Sequence, residues 1–428
     1  MLPRVHMPRA AARFHEIPWT VTHRPATSRG SVLVLALAIA VAGARPAHAQ
    51  TAPPPSPPPP VSLYGVAPGD PASVDSASPV QQTAPAAVEQ PRSSKRGEFV
   101  IAPMPMVNPT LENGLSLVAG YIYRVDRDDR QTPPSVSALG GFKTSNGSWA
   151  ASVIQNLHLG RDRFRILALA AYSDINYAFY GIGQDAGSAG VSIELNQAGA
   201  VGMIEGLVRI FPNGYAGARY QILDMTVATG EIAIPGGPTL PSADADLRTA
   251  SLGPRMDYDS RDNPFYPRRG TQIRGMANLY GQAVGGTRSY QVYEGFVNRY
   301  HGVGPRNVIA WHAGACGADG PVPFYDLCLL GKNQDLRGYV AGQYRDRAML
   351  AVQAEWRTEL FWRVGAAAFL GAGEVKDAFG AFTWNDLLPG YGVGARFTLA
   401  TRNHVNLRVD YGWGRDSRAL YIGVIEAF

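Results

Sequence analysis

The chain has 428 residues, 17% of them charged, and a formal net charge of +5. Six of its 39 basic and one of its 34 acidic residues lie in positions 1–49, so the remainder carries 33 of each and is formally neutral. The alkaline balance therefore belongs to the N-terminus and gives no ground for a nucleic-acid partner.

Arg24 and Arg29 precede an apolar run from Ser31 to Ala42, and Ala47-His48-Ala49 then sets small residues around one spacer. This layout predicts a secretory signal peptide over 1–49, cleaved after Ala49, with Met7 as an alternative start. Residues 51–95 hold twelve prolines, including Pro57 to Pro60, and few large apolar side chains. The segment 50–109 is read as an extended, disordered linker. Beyond it, no stretch approaches the ~20 continuous apolar residues of a membrane helix.

From residue 110 the pattern changes to short alternating runs separated by Gly, Pro, Asn and Asp. About sixteen strands are expected, among them Leu115–Val125, Trp149–His158, Arg163–Tyr172, Ala200–Ile210 and Gly270–Tyr280. From Leu350 to Leu360 apolar or small positions alternate with Gln353, Glu355, Arg357 and Glu359. Val405, Leu407, Val409, Tyr411 and Trp413 alternate with Asn406, Arg408, Asp410 and Gly412. Period two gives a strand with one greasy and one charged face, and in an exported chain with aromatics near strand ends it predicts an all-β transmembrane barrel over 110–428.

Asp257, Asp259 and Asp262 invite a calcium reading, but Arg261 lies among them. The following Asn263-Pro264, Pro267 and Gly270 mark a turn, so a turn closed by an internal ion pair is expected. Cys316 and Cys328 are the only cysteines. In an exported chain two cysteines this close are expected to pair, and His312 alone would leave a zinc set incomplete. The last strand is read as Leu420, Ile422 and Val424 alternating toward an aromatic Phe428, with Glu426 at a polar rim.

Four features together carry a resemblance: Tyr180-Gly181-Ile182-Gly183; the run Asp257 to Asp262 with Pro267 and Gly270; Leu336-Arg337-Gly338-Tyr339; and the terminal strand. The stretch from about Tyr180 to Phe428 resembles the barrel of the bacterial surface antigen family, the BamA/TamA-type superfamily of the bacterial outer membrane. The resemblance implies a sixteen-stranded barrel whose C-terminal strand is an assembly signal. It also implies a long surface loop that folds inward and brings Arg337 to carboxylates on the inner wall, with Glu355 as its partner here. An aspartate that the family carries after the phenylalanine of the next strand is replaced by Gly371, which leaves Glu355 as the single expected acceptor.

No G-x-S-x-G, H-E-x-x-H, C-x-x-C or phosphate-loop motif occurs, and His158, His301, His312 and His404 are scattered, so no enzyme and no cofactor are expected. The segment before residue 110 is too short for the periplasmic POTRA modules of assembly relatives, which makes this a barrel-only member by sequence. Two functions remain open: a factor for outer-membrane protein assembly, with client barrels or periplasmic factors as partners, and a passive channel or structural surface protein. Outer-membrane lipid is a partner in both, and self-association is left open.

Overall fold

The computed structural model describes residues 98–108, 110–126, 132–229, 232–233, 239–240, 243–331, 335–401 and 404–428. The expected signal peptide, and the Pro-rich tract as far as residue 97, lie outside the described residues.

Sixteen antiparallel strands follow one another round a closed barrel. The first seven are β1 (Glu98–Asn108), β2 (Glu112–Tyr123), β3 (Ser135–Thr144), β4 (Trp149–Leu159), β5 (Phe164–Phe179), β6 (Ile193–Phe211) and β7 (Gly214–Thr229). Next come β8 (Ala243–Asp259), β9 (Arg269–Tyr280), β10 (Tyr290–Val303), β11 (Asn307–Asp319) and β12 (Ala348–Phe361). The barrel finishes with β13 (Val364–Lys376), β14 (Leu388–Ala400), β15 (Val405–Gly414) and β16 (Ser417–Val424). None of the described helices is long and apolar enough to cross a membrane; the crossing elements are strands.

Alternation decides which side chains meet lipid. On β12, Leu350, Val352 and Trp356 point outward and are exposed, while Ala351, Gln353, Glu355 and Arg357 point inward and are buried. Such a strand satisfies its backbone through its neighbours and offers hydrocarbon an apolar outer face. The first half differs inside. Leu167, Leu169, Met203, Leu223 and Met225 from β5, β6 and β7 form a buried apolar cluster, so this part of the inner wall is not polar.

The barrel begins at Glu98 rather than at residue 110. Pro103 and Pro105 read as linker in sequence, yet both are exposed on β1, which pairs with β2 in continuous register from Glu98↔Ile122 to Asn108↔Glu112. This additional first strand sets the side of the barrel on which every later loop falls. The segment 180–192 follows the fifth strand and lies at the same end as the long loop 320–347. The tight turns 160–163, 212–213 and 362–363 occupy the opposite end.

Leu370, at the middle of β13, is 68% exposed on the outer face. Leu370→Arg is expected to destabilise the folded barrel by ~2–4 kcal/mol, the cost of a charge near the bilayer midplane. Reversible unfolding from bilayers measures it, and an unchanged stability would remove the assignment of this face to lipid.

Candidate functional site: a loop held in the lumen beside the seam

The loop between β11 and β12 turns back into the barrel. Cys328–Leu329 pairs with Arg345–Asp346 in a two-stranded ribbon, and Leu330, Leu336, Tyr339 and Tyr344 are buried against Tyr280, Val292, Met349 and Val375 of the wall. Gly183, before the short helix α1 (Gln184–Ala189), donates its backbone N–H to Arg345 O at 2.8 Å. Tyr180-Gly181-Ile182-Gly183 thus shapes a second loop that rests on the first, with Gly181 and Gly183 both at φ 93°.

At the tip, Arg337 has no solvent exposure. Its Nη2 donates to Glu355 Oε2 and its Nη1 to Asp410 Oδ2 at 2.6 Å, while its backbone N and Nε both donate to Gln353 Oε1 at 3.3 Å. The guanidinium lies 3.6 Å from the centre of the Phe369 ring, a stacked arrangement favourable to a weakly hydrated cation. Gly338 adopts φ 117°, and a Cβ there would meet Trp413 O at 2.6 Å, so glycine is required both by conformation and by the closeness of the wall. Gly338 N donates to the Tyr421 hydroxyl at 3.1 Å, and that hydroxyl donates to Tyr339 O at 3.0 Å.

Asp410, on β15, is the acceptor that sequence reasoning missed, although its place on a polar alternating face was legible. The surroundings of Gly371, two residues after Phe369, explain why no aspartate stands there. A Cβ there would lie 2.4 Å from Val352 O and 2.9 Å from Leu336 Cδ1, so the loop tip itself occupies that space. Two carboxylates, not one, therefore face Arg337. Around them Arg357 donates to Glu355, Arg396 to Asp410, and Arg408 to Asp410 at 3.0 Å.

The C-terminal residues join the same cluster, contrary to the strand read from sequence. β16 ends at Val424, and Ile425 takes φ 69°, a left-handed conformation rare for a β-branched residue, which turns the chain inward. Glu426 is buried instead of lying at a rim: it accepts from Arg396 Nε at 2.8 Å and from Asn406 Nδ2 at 2.9 Å. Phe428 O accepts from Arg357 Nη2 at 2.9 Å, and the half-buried Phe428 ring lies 5.3 Å from that of His312. Of the alternating residues, Leu420 remains on the outer face, Ile422 meets β1, and Val424 packs with Met104, Phe265 and Ile425.

Cys316, on the wall strand β11, and Cys328, in the loop, are joined by a disulfide with a Cα–Cα distance of 5.6 Å. It ties the base of the loop to the barrel. Nearby Asp326 is buried, with its carboxylate bonded by the Tyr290 hydroxyl. Burial pushes its carboxyl well above the usual range; the Tyr290 hydrogen bond opposes this and Glu294 adds to it.

The aspartate run closes a turn at the opposite end. Asp257 takes Arg255 at 2.8 Å and Arg274 at 2.7 Å, and Asp259 takes Arg261 through two bonds of 2.9 and 2.6 Å. Asp262 accepts the backbone N–H groups of Arg268 and Arg269, Pro267 is buried in the turn, and Gly270 stands at φ 108° where a Cβ would meet Ser260 O at 2.3 Å. Among the described residues no group of three His, Cys, Asp or Glu side chains is placed to hold a metal ion. Glu205, between Arg219 and Arg255, extends this second charged network onto β6, and no sequence motif marked it.

A closed sixteen-stranded barrel with an arginine loop held in its lumen defines a class of outer-membrane protein. Residues 144–419 match the Omp85 superfamily domain, and the chain belongs to that superfamily, in agreement with the resemblance carried by its motifs. It is a barrel of the bacterial outer membrane, and the end opposite the long loops 180–192 and 320–347 is by the rule for such barrels the periplasmic one. The fold is similar to BamA from Haemophilus ducreyi lacking POTRA domains 1–3, with TM-score 0.54 and 11% identity over 77% of this chain and 71% of that one. It is also similar to CdiB from Acinetobacter baumannii, with TM-score 0.51 and 10% identity over 78% of this chain and 60% of that one. For CdiB from Escherichia coli the TM-score is 0.51 and the identity 12%, over 78% and 67% of the two chains. At these identities the likeness is one of fold, and among curated proteins none matches the chain.

Two outcomes test the site. Removing either Arg337 or Glu355 strands a buried charge, so Arg337→Ala and Glu355→Ala should each destabilise the barrel by ~3–5 kcal/mol and expose the loop to protease. The double variant should cost less than the sum, whereas additive effects would mean that the two side chains do not act together. The Asp326 carboxyl, raised in the folded protein, contributes stability in full below the ordinary carboxylate range, and that contribution is lost as pH rises toward its folded value. Asp326→Asn should flatten this part of the pH–stability profile and leave stability at neutral pH equal or higher; a profile identical to the parent's would contradict the burial.

Proposed function

We propose that the protein is an assembly factor for outer-membrane proteins, acting at the seam between β1 and β16. The observation that carries this reading is the seam itself. β1 and β16 share the single pair Val107↔Ile422, whereas β8 and β9, which are interrupted at Gly253 and Pro254, still share seven. Strand edges left unpaired are sites at which another extended chain can add.

Two features hold the seam short. An unbroken ladder from β1 to β2 must draw its donors from residues alternating with Pro103 and Pro105, which turns the two imide nitrogens toward β16. Continuing the observed register would place Pro105 opposite Val424 and Pro103 opposite Glu426. The second feature is the inward turn at Ile425, which withdraws the residues that would extend β16. Client strands of other barrels are then the partners, the surrounding lipid is the medium into which they are released, and the role is non-enzymatic.

Val107→Cys with Ile422→Cys would close the seam covalently. In cells depleted of the natural protein, the cross-linked barrel should fail to maintain the level of other outer-membrane barrels, while each single variant supports them. A normal outer-membrane proteome with the seam shut, accompanied only by altered solute uptake, would sink the proposal in favour of a channel.

A further inference from the structure

At the periplasmic end of the lumen, below the charge cluster, a cavity of about 100 Å³ opens between β12, β14 and the turn that precedes β15. Its charged lining consists of Arg357, Arg363, Arg396, His404 and Glu359. The one carboxylate of the lining is already paired, since Glu359 Oε1 lies 3.6 Å from Arg268 Nη1, outside the lining, and 3.4 Å from His404 Nε2 within it. Arg357 and Arg396 are balanced by Glu355, Asp410 and Glu426 of the charge cluster, so what the cavity can still be offered are the nitrogens those carboxylates leave unused, together with Arg363.

Arg357 makes the space chemically specific. Its side chain is 1% exposed, and two of its nitrogens are used, Nε on Glu355 and Nη2 on Phe428 O. Its Nη1 is buried and has no hydrogen-bond partner. Arg396 Nη2 has none either, although it lies 3.5 Å from a Glu355 oxygen. Leaving a charged N–H buried without an acceptor is costly, and such groups at the wall of a polar cavity call for an anionic oxygen. Arg363, whose guanidinium lies 5.6 Å from the centre of the Trp362 ring, also lines the cavity, as do Thr358, Thr398 and Thr401.

Guanidinium groups brought to one cavity from β12, β14 and the β12–β13 turn suit a tetrahedral oxyanion, which offers acceptors in several directions, better than a planar carboxylate. The cavity also lies at the level of Trp362 and Phe361, which are 83% and 69% exposed at the β12–β13 turn. Aromatic side chains of this kind mark the interface where lipid phosphates reside. We propose that this cavity binds a phosphate group, carried by a phospholipid head group or present as free phosphate. The proposal is independent of the assembly role.

The full barrel, purified in a phosphate-free detergent, is titrated in one arm with inorganic phosphate and in the other with dispersed short-chain phosphatidylglycerol. Binding is read by ³¹P NMR and calorimetry. Saturable binding in either arm, weakened about tenfold or more by Arg363→Gln, is expected, since this half-exposed residue lies outside the charge cluster and its loss removes one fork. Retained heat-modifiable migration on a gel establishes that the variant is folded. Phosphate binding that phosphatidylglycerol displaces identifies the head group as the source; phosphate binding with no lipid competition identifies the free ion. Absence of saturable binding in both arms, or binding that Arg363→Gln leaves unchanged, overturns the proposal.

Discussion

An arginine with no access to water must be surrounded by carboxylates fixed in position, because an unmatched buried charge costs more than a small barrel's loops can supply. Arg337 meets this demand through Glu355 on β12 and Asp410 on β15, and those carboxylates in turn gather Arg357, Arg396 and Arg408. A loop, three wall strands and the chain's last residues thereby converge on one point. The barrel's final third is organised by charge, while β5, β6 and β7 in its first half combine an apolar cluster with the buried Glu205–Arg219 pair.

That convergence has a consequence at the seam. The loop tip is hydrogen-bonded to Tyr421 on β16, and Glu426 and Phe428 are drawn inward by Arg396 and Arg357. β16 thus gives its inner side to the loop and its end to the charge cluster, while Pro103 and Pro105 deprive the facing strand of donors. The lock and the weak seam are two results of one arrangement: residues committed to the cluster are not available to close the barrel.

Much of this was legible where charge alternates with apolar side chains. β12 and β15 announce themselves because Glu355, Arg357, Arg408 and Asp410 face a lumen while their neighbours face lipid. β1 was obscured because proline is read as a breaker, whereas on an edge its missing donor does no harm. The first half was harder to place for a related reason: with Leu167, Met203 and Leu223 turned inward, both faces are apolar and period two loses its contrast. The inward turn of the last residues left no local mark, for Glu426 owes its position to Arg396 and Asn406, 30 and 20 residues away in sequence. Asp410 was visible as a polar-face residue, but only the closeness of Leu336 to Gly371 shows why the second carboxylate sits there.

Residue-resolved amide hydrogen exchange on the barrel in bilayers tests most directly whether a locked loop and an unzipped seam coexist. The amides of Leu336 to Tyr339 should be protected like those of the wall, while Phe99 and Ile101, which share the edge of Pro103 and Pro105, should exchange rapidly. Arg337→Gln should release protection in the loop. Slow exchange at Phe99 and Ile101, or a loop that already exchanges freely in the natural protein, would contradict the account.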